Sequence, residues 1–311
     1  MRELSKDFMK DLKDTNGLLY PILERVKQDH TLMLAIRENY INIYYRGGNL
    51  LRVNKEQGKD SYKSFFDVKY NKSGQTIPIL PTTIKCQADA KTWVDKFPHL
   101  KEIMDIYFAK YGKSEREYQQ LVARENNNST ISNESEYFVS DIEFTDPGNA
   151  RFDMLAIRWL ASQRKDGSNC RAALIEMKYG DGALGGGAGL LKHLQDIDAL
   201  LSDYDKYKSL LETMESQFNQ LDELGLLNFN RGISKAKVKL SDADKPEVIF
   251  ILANHNPRSP KLCLILDGPE FVAYELNQGF DLRFFVSSFA GYGLHSDCML
   301  TLTQFRKLMK N

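Results

Sequence analysis

The chain has 311 residues, 42% of them hydrophobic and 27% charged, so there is ample material for a packed core and wholesale disorder is excluded. Lys and Arg together number 42, as do Asp and Glu, so no global basic field recruits nucleic acid and any such partner must be held by a local patch. Cys86, Cys170, Cys263 and Cys298 form no CxxC pair, which excludes a zinc knuckle or a disulfide framework and leads us to expect a reducing, cytoplasmic compartment.

The N-terminal MRELSKDFMKDLKDTNG alternates charged and apolar residues and lacks a signal-peptide core. No apolar run approaches the ~20 residues that span a bilayer, so no membrane partner is expected. Residues 3–28 have helical periodicity, carried by Leu12, Leu18, Leu19, Ile22, Leu23 and Val26 and interrupted by Pro21. Ile41, Ile43 and Tyr45 then alternate with Asn42 and Tyr44, and Gly47-Gly48 predicts a hairpin turn before Leu50, Leu51 and Val53. SFFDVKY (64–70) reads as a further strand. Residues 1–95 are therefore expected to form a small α+β module that positions substrate or another subunit, a homodimer being one such arrangement. Helical pattern returns from Phe97 to Glu125, with Ser114 as N-cap and Glu117 at the capping-box position. The polar cluster NNNSTISNES (126–135) reads as a loop.

EYFVSDIEFT (136–145) alternates as a strand and DPGNA (146–150) is turn chemistry. RFDMLAIRWLA (151–161) and AALIEMKY (172–179) read as two more strands, separated by a turn at 163–169. The glycine-rich DGALGGGAG follows, then a helical pattern from Leu190 to about Leu227. VIFILAN (248–254) and LCLILD (262–267) read as compact buried strands. FVAYEL and LRFFVSSF read as further β segments before a short C-terminal helix. From about residue 97 the predicted order is helix, strand, strand, strand, helix, strand.

The chemistry concentrates in AALIEMKY. Side chains of a strand alternate faces, so Ala172, Leu174, Glu176 and Lys178 share one side. On the preceding strand Asp153 is again a charge in an apolar run. A buried carboxylate needs a cation partner. Two neighbouring strands with one carboxylate each can supply hard oxygen ligands, which suit Mg²⁺ or Mn²⁺. A lysine beside them can orient a water and steady negative charge on a phosphate, which is the chemistry of phosphodiester hydrolysis. Set against this reading, the same residues could be ion pairs at the rim of a sheet.

FDMLA, carrying Asp153, followed by IEMKYG, carrying Glu176 and Lys178, resembles the PD-(D/E)xK nuclease superfamily over about residues 97–267. Phe152 stands where that family's name-giving proline would be. The resemblance implies a restriction-endonuclease-like core, a mixed α/β sheet flanked by helices, over residues 96–311 with a C-terminal β extension. It implies a metal-dependent nuclease whose Asp153 and Glu176 bind the divalent ion and whose Lys178 assists the attacking water, with nucleic acid, DNA foremost, as partner. The family often adds a glutamate from the helix before the first strand. Glu117 fits best, with Glu115 and Glu125 as rivals. The helix after the third strand often adds a polar residue. Within KHLQD, Gln195 is preferred over Lys192 and Asp196, and His193 is expected to sit to one side. Glu143 is a further carboxylate, expected on the face of Tyr137, Val139 and Asp141. The alternative is a catalytically inactive nucleic-acid-binding or scaffolding protein with the same fold.

Weaker signals are weighed beside these. GDGALG (180–185) matches GxGxxG, with Asp198 or Asp203 as the ribose acid, but reads better as a flexible loop in a strand meander. HSDC (295–298) offers a Cys–His pair with nothing to orient it. His255 is expected at a solvent-facing turn. RGISKAKVK (231–239) could track a phosphate backbone or be a solvated loop. The aromatics of YINIYY could stack on bases, although hairpin packing explains them with less.

Overall fold

The computed structural model describes residues 1–128, 136–145, 151–230, 236–256, 259–276, 279–287, 293–294 and 296–310. It is a mixed α/β protein containing two five-stranded sheets. The chain divides into two compact units, one of residues 1–120 and 219–226, the other of 121–218 and 227–311. Among the described residues no helix is long and apolar enough to cross a membrane.

The first unit begins with α1 (Lys6–Lys13), whose N-cap Ser5 accepts the Phe8 N–H through Oγ at 3.3 Å. Pro21 falls in the first turn of α2 (Tyr20–Gln28), where its missing N–H costs nothing, so it starts a second helix instead of interrupting one. The antiparallel sheet runs β1 (Leu32–Ile36), β2 (Tyr40–Tyr45), β3 (Gly48–Lys55), β4 (Tyr62–Phe65) and β5 (Thr83–Ile84), in that order. The hairpin turn falls on Arg46 and Gly47, with φ of 49° and 70°, one position earlier than the glycine pair predicts. SFFDVKY splits into the end of β4 and a 3-10 turn over Val68–Tyr70.

Helix α3 (Gln87–Lys110) buries Trp93, Phe97, Leu100, Ile103, Met104 and Phe108. Each such side chain contributes about 1.5–3 kcal/mol, which is why the helix starts before Phe97. Trp93 Nε1 donates to Pro81 O (2.9 Å) and Ser64 Oγ (3.0 Å), fastening α3 to the sheet. The expected boundary at 95/96 thus falls inside α3, whose buried side chains belong to the first unit. The units divide within α4 (Ser114–Asn127), between Gln120 and Leu121.

The second unit contains β6 (Tyr137–Thr145), β7 (Arg151–Arg158), β8 (Arg171–Tyr179), β9 (Glu247–Ala253) and β10 (Asp281–Val286), in the order β10-β9-β8-β7-β6. The β6, β7 and β8 neighbours are antiparallel, whereas β8, β9 and β10 are parallel. Helices α5 (Leu190–Leu201) and α6 (Tyr204–Glu223) connect β8 to β9. Every residue of β9 is buried, as expected of a parallel strand covered on both faces. LCLILD is helix α7 (Pro260–Leu266), not a strand. Ser259 caps it by accepting the Leu262 N–H at 3.3 Å, Pro260 suits its first turn, and Leu262 and Leu266 are buried one turn apart. FVAYEL likewise lies in α8 (Pro269–Val272) and a 3-10 turn over Ala273–Leu276, again started by a proline. Helix α9 (Leu302–Lys310) ends the described chain, with Phe305 stacked on Phe284 of β10 at 5.1 Å.

Candidate functional site

The β7–β8 ladder runs from Arg158 opposite Arg171 to Met154 opposite Ile175. One step further the two strands part, and a side chain replaces the main chain: Asp153 Oδ2 accepts the Met177 N–H at 2.8 Å. Asp153 is next in line to Glu176, so the two carboxyls meet where the ladder opens. On its other side β8 stays paired with β9, Glu176 opposite Phe250 and Lys178 opposite Leu252. Glu176 and Lys178 are therefore walled by apolar strand, at 1% and 4% exposure, whereas Asp153 is half-buried.

Three groups surround Glu176. Lys178 Nζ lies 3.7 Å from its Oε2 and His193 Nδ1 lies 3.2 Å from the same oxygen. The third is the Asp153 carboxyl, a contact that becomes a hydrogen bond only when one of the two carboxyls holds a proton. Neither oxygen of Glu176 otherwise receives a well-formed hydrogen bond. Burial, and then the negative charge of Asp153, push the Glu176 carboxyl well above its ordinary range, against the pull of Lys178. Burial, and then the Lys178 ammonium, press His193 down to about 4, so its imidazole is neutral near pH 7.

Of the predicted residues, the structure brings Asp153, Glu176 and Lys178 together. Gln195 is exposed and lines a cleft of about 420 Å³ with Gly185, Gly186, Lys192 and Phe271. The α5 side chain that reaches Glu176 is His193, the one expected to sit aside. A helical wheel carries the signal: His193 adjoins Leu194 and is flanked one turn away by Leu190 and Ile197, the buried positions of α5. Glu117 belongs to the first unit, where Arg46 Nε holds its carboxylate at 2.7 Å and Arg46 Nη1 holds Asp105 at 2.9 Å. Of the other two helix glutamates, Glu115 lies in the first unit and Glu125 in the second.

Glu143 has a left-handed backbone, φ 52°. A bulge at Ser140 corrects its expected facing. Val139 pairs with Ala156 but Asp141 pairs with Leu155, so Val139 and Asp141 point to opposite sides. Asp141 consequently joins the face of Asp153 and Glu176, fully buried, accepting from Gln217 Nε2 and from the Ile142 N–H at 2.8 Å each. Strand alternation alone conceals this buried carboxylate, because the bulge breaks the period.

The loop after β8 is fastened at its first two residues. Gly180, with φ 72°, donates its N–H to Ala253 O at 2.9 Å, Asp181 Oδ1 accepts the Asn256 N–H at 3.0 Å, and Lys261 Nζ reaches Asp181 O at 3.1 Å. Strand β8 closes the meander and also opens the parallel crossover through α5 and α6 to β9, so GDGALG stands at the start of that crossover. His255 is half-buried with Nδ1 enclosed, not solvent-facing. Lys237 and Lys239 are exposed, whereas Arg231, Lys235 and His295 lie outside the described residues, as do 129–135 and 146–150. In YINIYY, Ile41 and Ile43 are buried and Tyr45 Oη donates to Asp105 at 3.0 Å, which is hairpin packing.

Two touching carboxyls, one with both oxygens lacking donors, fit a divalent cation by charge and by hardness. Among the described residues no three His, Cys, Asp or Glu side chains are gathered about one point. The donor set therefore suits an ion that keeps several waters, as Mg²⁺ does when held by one or two carboxylates. Comparison of the chain with protein-family models, with curated proteins and with solved structures finds no match in any of the three.

Proposed function

We propose that the second unit is a restriction-endonuclease-like core of the PD-(D/E)xK type and that the protein is a metal-dependent nuclease acting on phosphodiester bonds, DNA being the expected substrate. One observation carries the reading. Asp153 and Glu176 meet where β7 and β8 part, and Lys178 shares the Glu176 face two residues on. Asp153 and Glu176 would hold Mg²⁺ or Mn²⁺, which when bound lowers the pKa of a coordinated water and polarises a phosphoryl oxygen. Asp153 aligns β8 through the Met177 N–H. Lys178 steadies charge developing on the phosphate, and the ion would add to the counter-charge that Lys178 gives Glu176 at 3.7 Å.

The test compares wild type with Glu176→Ala and Lys178→Ala on linear, circular and single-stranded DNA and on RNA, with Mg²⁺, Mn²⁺ or EDTA. The expected result is metal-dependent cleavage by wild type, lost in both variants. Folded wild type that cuts nothing under any of these conditions overturns the reading.

The burial of Glu176 and Lys178 favours a second reading, a catalytically inactive nucleic-acid-binding or scaffolding protein. With 1% and 4% exposure they meet no substrate without local opening. Retardation of nucleic acid on a gel without cleavage would select this reading.

A further inference from the structure

The antiparallel sheet of the first unit buries one face and leaves part of the other open. Register fixes which residues share a side. Tyr40 pairs with Asn54 and Asn54 with Lys63, and two residues along Asn42 pairs with Arg52 and Arg52 with Phe65. The alternate residues Ile41, Val53, Tyr62 and Ser64 are buried. On the open side Phe65 is 42% exposed, Lys63 is exposed, and Tyr40, Arg52 and Asn54 are half-buried. The Arg52 guanidinium, on the middle strand, lies between two rings, its Cζ 4.8 Å from the centroid of Tyr40 and 5.4 Å from that of Phe65. Its Nε donates to Oδ1 of buried Asn42 at 3.1 Å, which leaves the two Nη groups without a protein acceptor among the described residues. Neither Arg52 nor Lys63 stands within ion-pair distance of a carboxylate among those residues. Glu56, just beyond β3, lies in the field of Lys63 but is held by Ser61 Oγ at 2.7 Å and Lys59 Nζ at 3.5 Å.

We propose that this face binds a single-stranded segment of nucleic acid, with a base stacked on Phe65 and backbone phosphates met by the Arg52 Nη groups and Lys63. The proposal deepens the nuclease reading by naming the form of its partner, and rests on that reading for the class of partner alone. With 42 basic and 42 acidic residues the whole chain supplies no attractive field, so a strand needs a local face of this kind. A guanidinium flanked by rings and fixed at Nε presents its remaining N–H edge, which matches phosphate oxygens. An exposed ring beside it offers a π-face to any base. In a duplex each base face is covered by its neighbours, so the ring favours an unpaired strand.

The test measures fluorescence anisotropy of labelled oligo-dT, oligo-rU and a DNA duplex of equal length with the full-length protein in EDTA, where metal-dependent cleavage is off. Wild type, Phe65→Ala, Phe65→Trp, Arg52→Gln and Lys63→Ala are compared, each checked for folding by circular dichroism. Wild type is expected to bind a single strand, of either sugar, at least about tenfold more tightly than duplex. Phe65→Ala should lose about fivefold or more on that strand, and Phe65→Trp should keep the wild-type affinity. Arg52→Gln and Lys63→Ala should each weaken binding and lower the slope of log affinity against log salt by about 0.7. A folded Phe65→Ala with wild-type affinity overturns the inference, as does an unchanged salt slope in both cation variants. Wild type that binds no single strand, or prefers duplex, overturns it too. All three results leave the nuclease reading to the Glu176 and Lys178 variants. Binding that depends on Phe65 and Arg52 in a protein that cuts no nucleic acid upholds the inference while the nuclease reading falls.

Discussion

Asp153 Oδ2 accepts the backbone N–H of Met177 at 2.8 Å, so a carboxylate of β7 holds the residue that separates Glu176 from Lys178. The contact gives Asp153 two separable duties, one of charge and one of shape. Asp153→Asn keeps an oxygen acceptor and loses the charge, whereas Asp153→Ala loses both. Cleavage is expected to fall by about 100-fold or more in both variants, in line with removal of a group that orients catalysis. Only Asp153→Ala should also lose about 1–3 kcal/mol of stability in urea unfolding, the cost of a buried N–H left unpaired. A wild-type cleavage rate in Asp153→Asn would remove Asp153 from the ion site.

The raised Glu176 carboxyl predicts a pH-dependent stability in EDTA. Because its folded value lies above the unfolded one, its contribution is complete below about pH 4.5 and is lost as pH rises through the folded value. Glu176→Gln stays neutral and escapes that loss. Its melting temperature should match wild type near pH 4 and exceed it near pH 7, by on the order of 2–4 °C. Melting curves at the two pH values decide this. A variant less stable than wild type at pH 7 would mean that Glu176 is ionised and paired.

His193 runs in the opposite sense. Its folded value, about 4, lies below the ordinary 6.5, so its contribution is present above pH 6.5 and is lost as pH falls toward 4. The melting temperature of His193→Gln relative to wild type should therefore rise on acidification from pH 7 to pH 4, in EDTA. A difference that stays flat across this window would show that His193 is protonated in the folded protein with no penalty.

Glu117 is gripped by Arg46, which also holds Asp105, and both carboxylates are substantially exposed. Exposed pairs contribute about 0–1 kcal/mol. Glu117→Gln is accordingly expected to lower stability by less than about 1 kcal/mol and to leave metal-dependent cleavage within about twofold of wild type. Loss of cleavage with intact folding would return Glu117 to the catalytic set.

Each unit carries one buried tryptophan, Trp93 in the first and Trp159 in the second, which makes single-tryptophan variants local reporters. Gly47 has φ 70°, and a Cβ there would meet the Arg116 backbone at 2.5 Å. In a Trp159→Phe background, where Trp93 alone reports, Gly47→Ala should cost about 1–3 kcal/mol by urea titration of fluorescence. An unchanged midpoint would show that the hairpin turn relaxes around the new methyl group.

Local rules made much of this legible. Period-two alternation set Glu176 and Lys178 on one side of β8, and composition marked the strand as buried. Where the reading failed, a competing local signal was present. Ser259-Pro260 and Pro269 start helices α7 and α8 through apolar runs that look like strands. Apolar runs of this length do not distinguish a buried helix from a buried strand without their caps. The Ser140 bulge likewise redirected Asp141, since one extra residue exchanges the faces of a strand.

The sequence by itself determined that Glu176 and Lys178 lie in one strand and on one side of it, because side-chain direction in an unbulged strand follows from backbone geometry alone. Register, the parting of β7 from β8 at Asp153, and the delivery of His193 to Glu176 belong to the tertiary structure. They depend on contacts between segments far apart in the chain, such as the Asp153 carboxylate on the Met177 N–H and the seating of α5 by Leu190 and Leu194. No periodicity within one segment encodes where another segment will lie, so the imidazole at the carboxylate becomes visible only once the chain has folded.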